Sequence, residues 1–227
     1  LVNCNAYETE TGLKLPNGEK ETRFVVTISG KALVDHEKAV HLKCESRAEK
    51  LNFEDIENLY DVSWADGNKL NLKSGELKAY IDMRDGNDGI PGFNGNDSPN
   101  CKGVPYYQRK MNEFVRTFAM SFNEGIMDID GDKVLDKTEG HVDGYALNSS
   151  TGDLPAGIRF FTMLGRYGEP ITSAEFEAQA LAYAAKMGIS DDPSTAWDDR
   201  LMAGYQNITA RNFSISFDIE DDPTNNI

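Results

Sequence analysis

The segment VPYYQRKMNEFVRTFAMSFNEG, residues 104 to 125, limits the folds open to this chain more than any other. Pro105 sits where a first helical residue belongs, because its fixed φ suits a helix start and its missing N–H has no partner there anyway. Tyr107, Met111, Phe114, Val115, Phe118 and Phe122 follow at steps of 4, 3, 1, 3 and 4, with Arg109, Lys110, Glu113 and Arg116 off the stripe. Gly125 predicts the stop. Burying three Phe, a Val and a Met would contribute on the order of 10 kcal/mol before chain entropy is subtracted. The stripe is therefore expected to face a core, and a chain of 227 residues that is 39% hydrophobic can supply one.

The rest of the chain alternates between strand and helix patterns. FVVTIS (24 to 29) predicts a strand with Phe24, Val26 and Ile28 on one face, and LYDVSW (59 to 64) one with Tyr60, Val62 and Trp64 together. ADGNK (65 to 69) predicts a turn, since Asp-Gly and Asn tolerate positive φ. A helix follows, capped by Ser74 and carrying Leu77, Tyr80, Ile81 and Arg84 at helical spacing. It stops at RDG. Of the next 18 residues (86 to 103), 13 are Gly, Asn, Asp or Pro, which is a loop composition. After residue 139, GIRFFTM (157 to 163) is expected to be extended. Thr172 and Glu175 have capping-box spacing, ahead of a stripe of Phe176, Ala180, Tyr183, Ala184 and Met187 that Gly188 closes. DDPSTAWDD (191 to 199) reads as an acidic turn region. In NFSISFDIE (212 to 220), Phe213, Ile215, Phe217 and Ile219 alternate strictly with polar residues, which predicts a strand. The expected class is α+β, with mixed strands from both ends of the chain packed with two or three amphipathic helices.

Lys and Arg total 23 against 38 Asp and Glu, a net charge of −15. Such a surface repels phosphate backbones and anionic bilayers, so neither nucleic acid nor membrane is an expected partner. No apolar run approaches the 18 or so residues that a transmembrane helix needs. No basic-then-apolar leader opens the chain, which begins at Leu1 and reads as a piece of something longer. Cys4, Cys44 and Cys101 form no C-x-x-C pair; three free thiols or one disulfide are open. His36, His41 and His141 stand in no H-E-x-x-H and share no i, i+4 spacing. Nucleophile-elbow and phosphate-loop patterns are missing too, and with 38 acids a carboxylate pair carries no weight. No catalytic, cofactor-binding or metal residue is predicted, and the chain is not expected to be an enzyme.

One motif needs separate weighing. DIDGDKVLDKTE (128 to 139) places Asp128, Asp130, Asp132, Asp136 and Glu139 close to the spacing of a twelve-residue calcium loop. Leu135 fits the apolar eighth position. The sixth position, normally Gly, is Lys133, and no helix is signalled after Glu139. The same letters describe a tight turn between short extended pieces, with Gly131 at positive φ.

Several segments taken together resemble the bacterial flagellar hook-associated protein 1 family, which forms the first junction between hook and filament. GKALVDHEKAVHL (30 to 42) is similar to its Gly-x-x-Leu-Val segment. In SGELKAYIDMRDG (74 to 86) the matching positions are Gly75, Leu77, Arg84 and Asp85. In residues 104 to 125 they are Met111, Asn112, Glu113 and Asn123, and Gly125, Asp128 and Gly131 match the turn that follows. ITARNFSISFDIEDDPTNNI (208 to 227) resembles the strand pair that precedes the family's C-terminal helices. The resemblance implies a core of residues 1–139 plus 205–227 and a variable outer segment, 140–204, with one helix. It implies a structural axial subunit, without its terminal helices, exported to the extracellular flagellum without a cleaved signal peptide. The implied partners are further copies in a ring, the hook protein, the second junction protein, and an export chaperone bound through the C-terminal end. It brings no catalytic residues and no cofactors. The alternative reading of the acidic loop is a calcium-stabilised extracellular binding or adhesion module.

Overall fold

The structure is a computed structural model that describes residues 4–28, 30–53, 55–90, 101–145 and 157–226. The class is α+β, with antiparallel sheets and helices. The chain divides into two compact units, Leu1–Tyr107 and Gln108–Ile227. Among the described residues, no helix is long and apolar enough to cross a membrane.

The first unit begins with a four-stranded antiparallel meander: β1 (Cys4–Lys14), β2 (Lys20–Ile28), β3 (Lys31–Asp35) and β4 (Lys38–Ala39), in that spatial order. β5 (Leu42–Ser46) pairs with β6 (Tyr60–Trp64) as a separate antiparallel ladder, Leu42 opposite Trp64 and Ser46 opposite Tyr60. The predicted 65 to 69 turn follows, with Gly67 at φ 82. The β2 strand forms where expected but turns its other face inward: Val25 and Thr27 are buried, while Phe24 is half exposed. With a side-chain period of two, burial of Val25 forces Phe24 outward. Helix α1 (Glu76–Arg84) follows. Its N-terminal flanking residue is Gly75, at φ 105 and with no side-chain cap, rather than Ser74. The helix buries none of its residues, so its predicted apolar positions Leu77 and Tyr80 face water.

Arg84 and Asp85 end that helix inside an ion network. The Asp85 carboxylate takes Arg84 Nη2 at 2.7 Å and Arg47 Nη2 at 3.0 Å. Arg47 also reaches Asp61 and lies 4.0 Å from Asp55. Asp55 in turn accepts the Leu51 and Asn52 N–H groups, and Asn52 Nδ2 donates to Gly86 O at 3.0 Å. Just beyond, the backbones of Gly86 and Gly103 touch: a Cβ on Gly86 would fall 2.3 Å from Gly103 N. Asn87 N donates to Cys101 O at 2.9 Å, so the two ends of the predicted 86 to 103 loop are pinned together. Its middle, 91–100, lies outside the described residues.

In the second unit the core gathers Val115, Ala119, Met163, Ile171, Phe176, Tyr205 and Ile208. Val115 and Ala119 come from α2 (Val104–Glu124), whose N-terminal turn begins in the first unit. Gly125 ends α2 at φ 65. No side chain fits at Gly125, because a Cβ would lie 2.4 Å from Thr138 O. β7 (Ile126–Met127) and β8 (Asp136–Lys137) form a small antiparallel ladder across the acidic loop. Of the expected extended stretch 157 to 163, β9 (Phe161–Met163) is strand; it pairs with β10 (Phe213–Ile215).

Helix α3 (Ser173–Met187) matches its sequence signature at both ends. Thr172 Oγ1 accepts the Glu175 N–H at 3.1 Å, Glu175 Oε2 accepts the Thr172 N–H at 2.9 Å, and Gly188 closes the helix at φ 69. Phe176, Ala180 and Ala184 are buried, although Met187, predicted on the same stripe, is exposed. α4 (Asp199–Gly204) lies tight against α3, since a Cβ on Gly204 would fall 2.2 Å from Ala180 Cβ.

The predicted strand over 212 to 220 is cut short. It stops at Ile215, and α5 (Phe217–Asp221) and α6 (Pro223–Asn226) follow. Asp218 explains the change: its carboxylate takes the Ser173 N–H at 2.6 Å and the Ser216 hydroxyl at 3.0 Å. That draws the chain across the start of α3 rather than along the sheet. Strands from the two ends of the chain do not pair with each other among the described residues; β1 to β6 pair within the first unit and β9 with β10 within the second. Residues 140–204, expected as an outer segment, contribute Met163, Ile171 and Phe176 to the same core as Tyr205 and Ile208.

Candidate functional site

Two features of the second unit are candidates for function: the outer face of α2 and the acidic loop that follows it. On α2 the residues that meet the core are Asn112, Val115, Ala119 and Asn123, at steps of 3, 4 and 4. This is a proper helical face, but not the one the hydrophobic stripe predicts. Polar anchoring selects it. Asn112 Oδ1 accepts the Ala210 N–H at 2.8 Å, and Arg116 Nε donates to Ile208 O at 2.7 Å. Asn123 bonds the Phe161 backbone twice, accepting its N–H at 3.0 Å and donating to its carbonyl at 2.6 Å. Groups so matched to buried backbone must face inward, since an unpaired backbone polar group is costly.

The predicted core stripe is consequently turned outward. Only Val115 of it is buried, at 7% exposure; Phe118 and Phe122 are 43% exposed, Met111 54% and Phe114 64%. Phe118 and Phe122 rest on Phe161, each with ring centroids 5.1 Å apart, while Phe114 stacks on Phe118 at 6.1 Å and 12°. The result is an apolar ridge of one Met and three Phe. Beside it lies a shallow cleft of about 390 Å³ lined by Phe118, Ser121, Phe122, Met127, Glu139, Gly140 and His141. Such a ridge suits apolar contact with another surface.

Beneath α2 is a buried ionic cluster that sequence reading missed. Glu124 Oε1 accepts Arg159 Nε at 2.6 Å and the Tyr205 hydroxyl at 2.8 Å. Asn123 Nδ2 donates to Tyr205 Oη at 3.1 Å. Burial pushes the Tyr205 hydroxyl well above its ordinary value, and the neighbouring Glu124 charge adds to the effect. Burial disfavours the Arg159 charge, but Glu124 outweighs it and holds the guanidinium charged. No periodicity marks these residues, because they come together from three separate segments. Glu124, Arg159 and Tyr205 hold one another, which is a structural clasp.

The acidic loop is a turn between β7 and β8, as the second sequence reading expects. Asp128 accepts the Gly131 N–H at 2.6 Å and the Lys133 N–H at 2.9 Å; Asp132 accepts the Val134 N–H at 2.7 Å. Gly131 has φ 83, and Lys133 itself has φ 69. The sixth position of the motif thus makes a left-handed turn without glycine. One carboxylate oxygen each from Asp128, Asp130 and Asp132 lie within 4.8 Å of one another, all exposed. Oxygen ligands at this spacing suit a hard cation such as calcium. A short 3₁₀ turn at His141–Asp143, not an α-helix, follows Glu139.

No family model matches this chain. Neither the curated proteins nor the solved structures yield a match. His141 serves structure: its Nδ1 lies 2.7 Å from Ile158 O and its ring stacks on Phe122. His36 and His41 are exposed and lie in the first unit. Cys4, Cys44 and Cys101 are free and exposed.

Proposed function

We propose that this chain is a structural axial subunit of the bacterial flagellum, at the junction between hook and filament. The observation that carries the reading is the outer face of α2. A helix that turns three Phe and a Met to solvent while anchoring its polar face inward is built to be covered by other helices or subunits. The residues of the resemblance support it. Arg84 and Asp85 close the first unit's ion network, Asn123 binds the Phe161 backbone, and Gly75, Gly125 and Gly131 all have positive φ. In this reading the protein works by shape and interface, with no catalytic step and no cofactor. It is exported to the cell exterior. Its partners are copies of itself in a ring, the hook protein, the second junction protein, and a chaperone that binds a C-terminal segment before export.

Cosedimentation with purified hook-protein polymers tests this. Saturable binding at polymer ends is expected; absence of binding, with or without the second junction protein present, overturns it. The Asp128, Asp130 and Asp132 geometry favours a second reading, a calcium-stabilised extracellular module. Titration calorimetry separates the two. Calcium bound more tightly than about millimolar, and lost in Asp130→Ala, would replace the flagellar reading.

A further inference from the structure

The α2 ridge is charged differently at its two ends. Lys110 flanks it at the Met111 end, one turn before Phe114. Glu139 lies in the cleft at the other end, beside Phe118 and Phe122, and it forms no ion pair among the described residues. Phe114 and Phe118 are nearly parallel, at 12°, and Phe122 is tilted 36° to Phe118. The ridge from Met111 to Phe122 spans roughly 16 Å of helix.

We propose that two copies of this chain pair through α2, ridge on ridge and antiparallel, so that Lys110 of each copy meets Glu139 of the other. Crossing midway between Phe114 and Phe118 sets Phe114 of one copy opposite Phe118 of the other. It sets Met111 opposite the cleft that Phe122 and Met127 line. A twofold contact uses one patch twice, so each charged end finds its complement. A parallel pairing would instead set Lys110 against Lys110 and Glu139 against Glu139. Each copy carries a net charge of −15, but repulsion between distant charges is screened beyond about 8 Å at physiological ionic strength. The close pairs and the apolar ridge then decide the contact. The Lys110–Glu113 bond, 2.7 Å, is a solvent-exposed i, i+3 pair, and such pairs add little to stability. The pairing uses the same ridge that carries the flagellar reading and competes with ring assembly there; the two are told apart because hook-polymer binding and self-pairing are measured separately.

Sedimentation equilibrium of the full chain in reductant is the test; reductant removes any cross-link through the exposed Cys4, Cys44 and Cys101. A reversible monomer–dimer equilibrium in the range of about 10–100 µM is expected. Phe114→Glu is expected to weaken it at least about tenfold. It is also expected to leave the circular dichroism unchanged, because Phe114 is 64% exposed. If that variant fails to fold, Met111→Glu replaces it. Lys110→Glu and Glu139→Lys should each weaken pairing several-fold, and the double variant should restore it. A wild-type chain monomeric at about 500 µM would overturn the proposal. So would a dimer indifferent to the ridge substitutions, or a charge swap that is no tighter than either single change.

Discussion

In the first unit the deeply buried residues around the end of α1 include Asn52, Asp55 and Asp85; the two carboxylates face the shielded Arg47, and Asn52 bonds Asp55 and the Gly86 carbonyl. In the second unit they are Ala119, Ile126, Phe176, Tyr205 and Ile208, with one ionic cluster set among them. The first unit has a long meander, exposed on most positions of β1 and β2, and little apolar mass. It holds its loops by directional bonds from charged side chains to backbone and to each other. The second has enough apolar area to hold α2, α3 and β9 by packing, and its buried Glu124–Arg159 ion pair sits where α2 ends. Ion networks and apolar cores fail differently. A charge left without its partner is penalised by its lost hydration, whereas an apolar truncation is penalised by area and cavity. The two units should therefore answer the same kinds of insult in different ways.

Phe176→Ala should give the largest effect. It removes a ring 1% exposed and leaves a cavity against Tyr205 and Gly204, a loss of about 3–5 kcal/mol. Hydrogen exchange read peptide by peptide should show protection lost across 108–227 and kept in 1–107. Equal loss in both units would break the division. Asp85→Ala should come next, at about 3 kcal/mol, with the loss in the first unit. It removes a carboxylate that both Arg47 and Arg84 use. Replacing Arg47 and Asp85 together by apolar residues should cost less than Asp85→Ala alone, which urea melts would measure.

Gly204→Ala should destabilise by about 1–3 kcal/mol, because its methyl meets Ala180 at 2.2 Å and α4 must shift to admit it. Thr172→Ala should lose about 1 kcal/mol, the worth of one N-cap, by thermal melting. The smallest and most specific difference is in acid. Burial favours the neutral form of Asp85, but the hydrogen bonds from Arg84 and Arg47 outweigh it and hold the carboxyl below the usual range. The Lys31 hydrogen bond, first, brings Asp66 from 3.8 to about 2. A carboxyl depressed on folding adds stability above its unfolded value and loses it as pH falls through the folded one. Amide protection factors in the first unit, taken against the intrinsic rate at each pH, should thus fall between about pH 4 and pH 2, and Asp85→Asn should flatten that response.

How legible the fold was varied by element. Helix α3 could be read almost completely, because Thr172, Glu175 and Gly188 act on their own neighbours and its small buried residues leave one choice of face. The 65 to 69 turn and the stop at Gly125 were legible for the same local reason. Position along the chain was also legible for α2, but its orientation was not. Hydrophobicity ranks Phe114, Phe118 and Phe122 above Asn112 and Asn123, yet the asparagines face inward, because backbone from residues 161 and 210 arrives there. β2 repeats the lesson at smaller scale, with Val25 in and Phe24 out. The Glu124, Arg159 and Tyr205 cluster left no trace in any window, since its members are tens of residues apart.

Sequence alone determined where α2 stops, where α3 starts and stops, that the turns at Gly67 and Gly131 take positive φ, and that strands and helices mix, because caps, glycines and short periodicities act within a few residues. Only the tertiary structure decided which face of α2 and of β2 is buried, that Asp218 converts the end of the last predicted strand into a helix, and that an apolar ridge on α2 is left exposed. Those outcomes depend on distant backbone groups that must find hydrogen-bond partners once water is excluded, and satisfying them outweighed burying the most hydrophobic side chains.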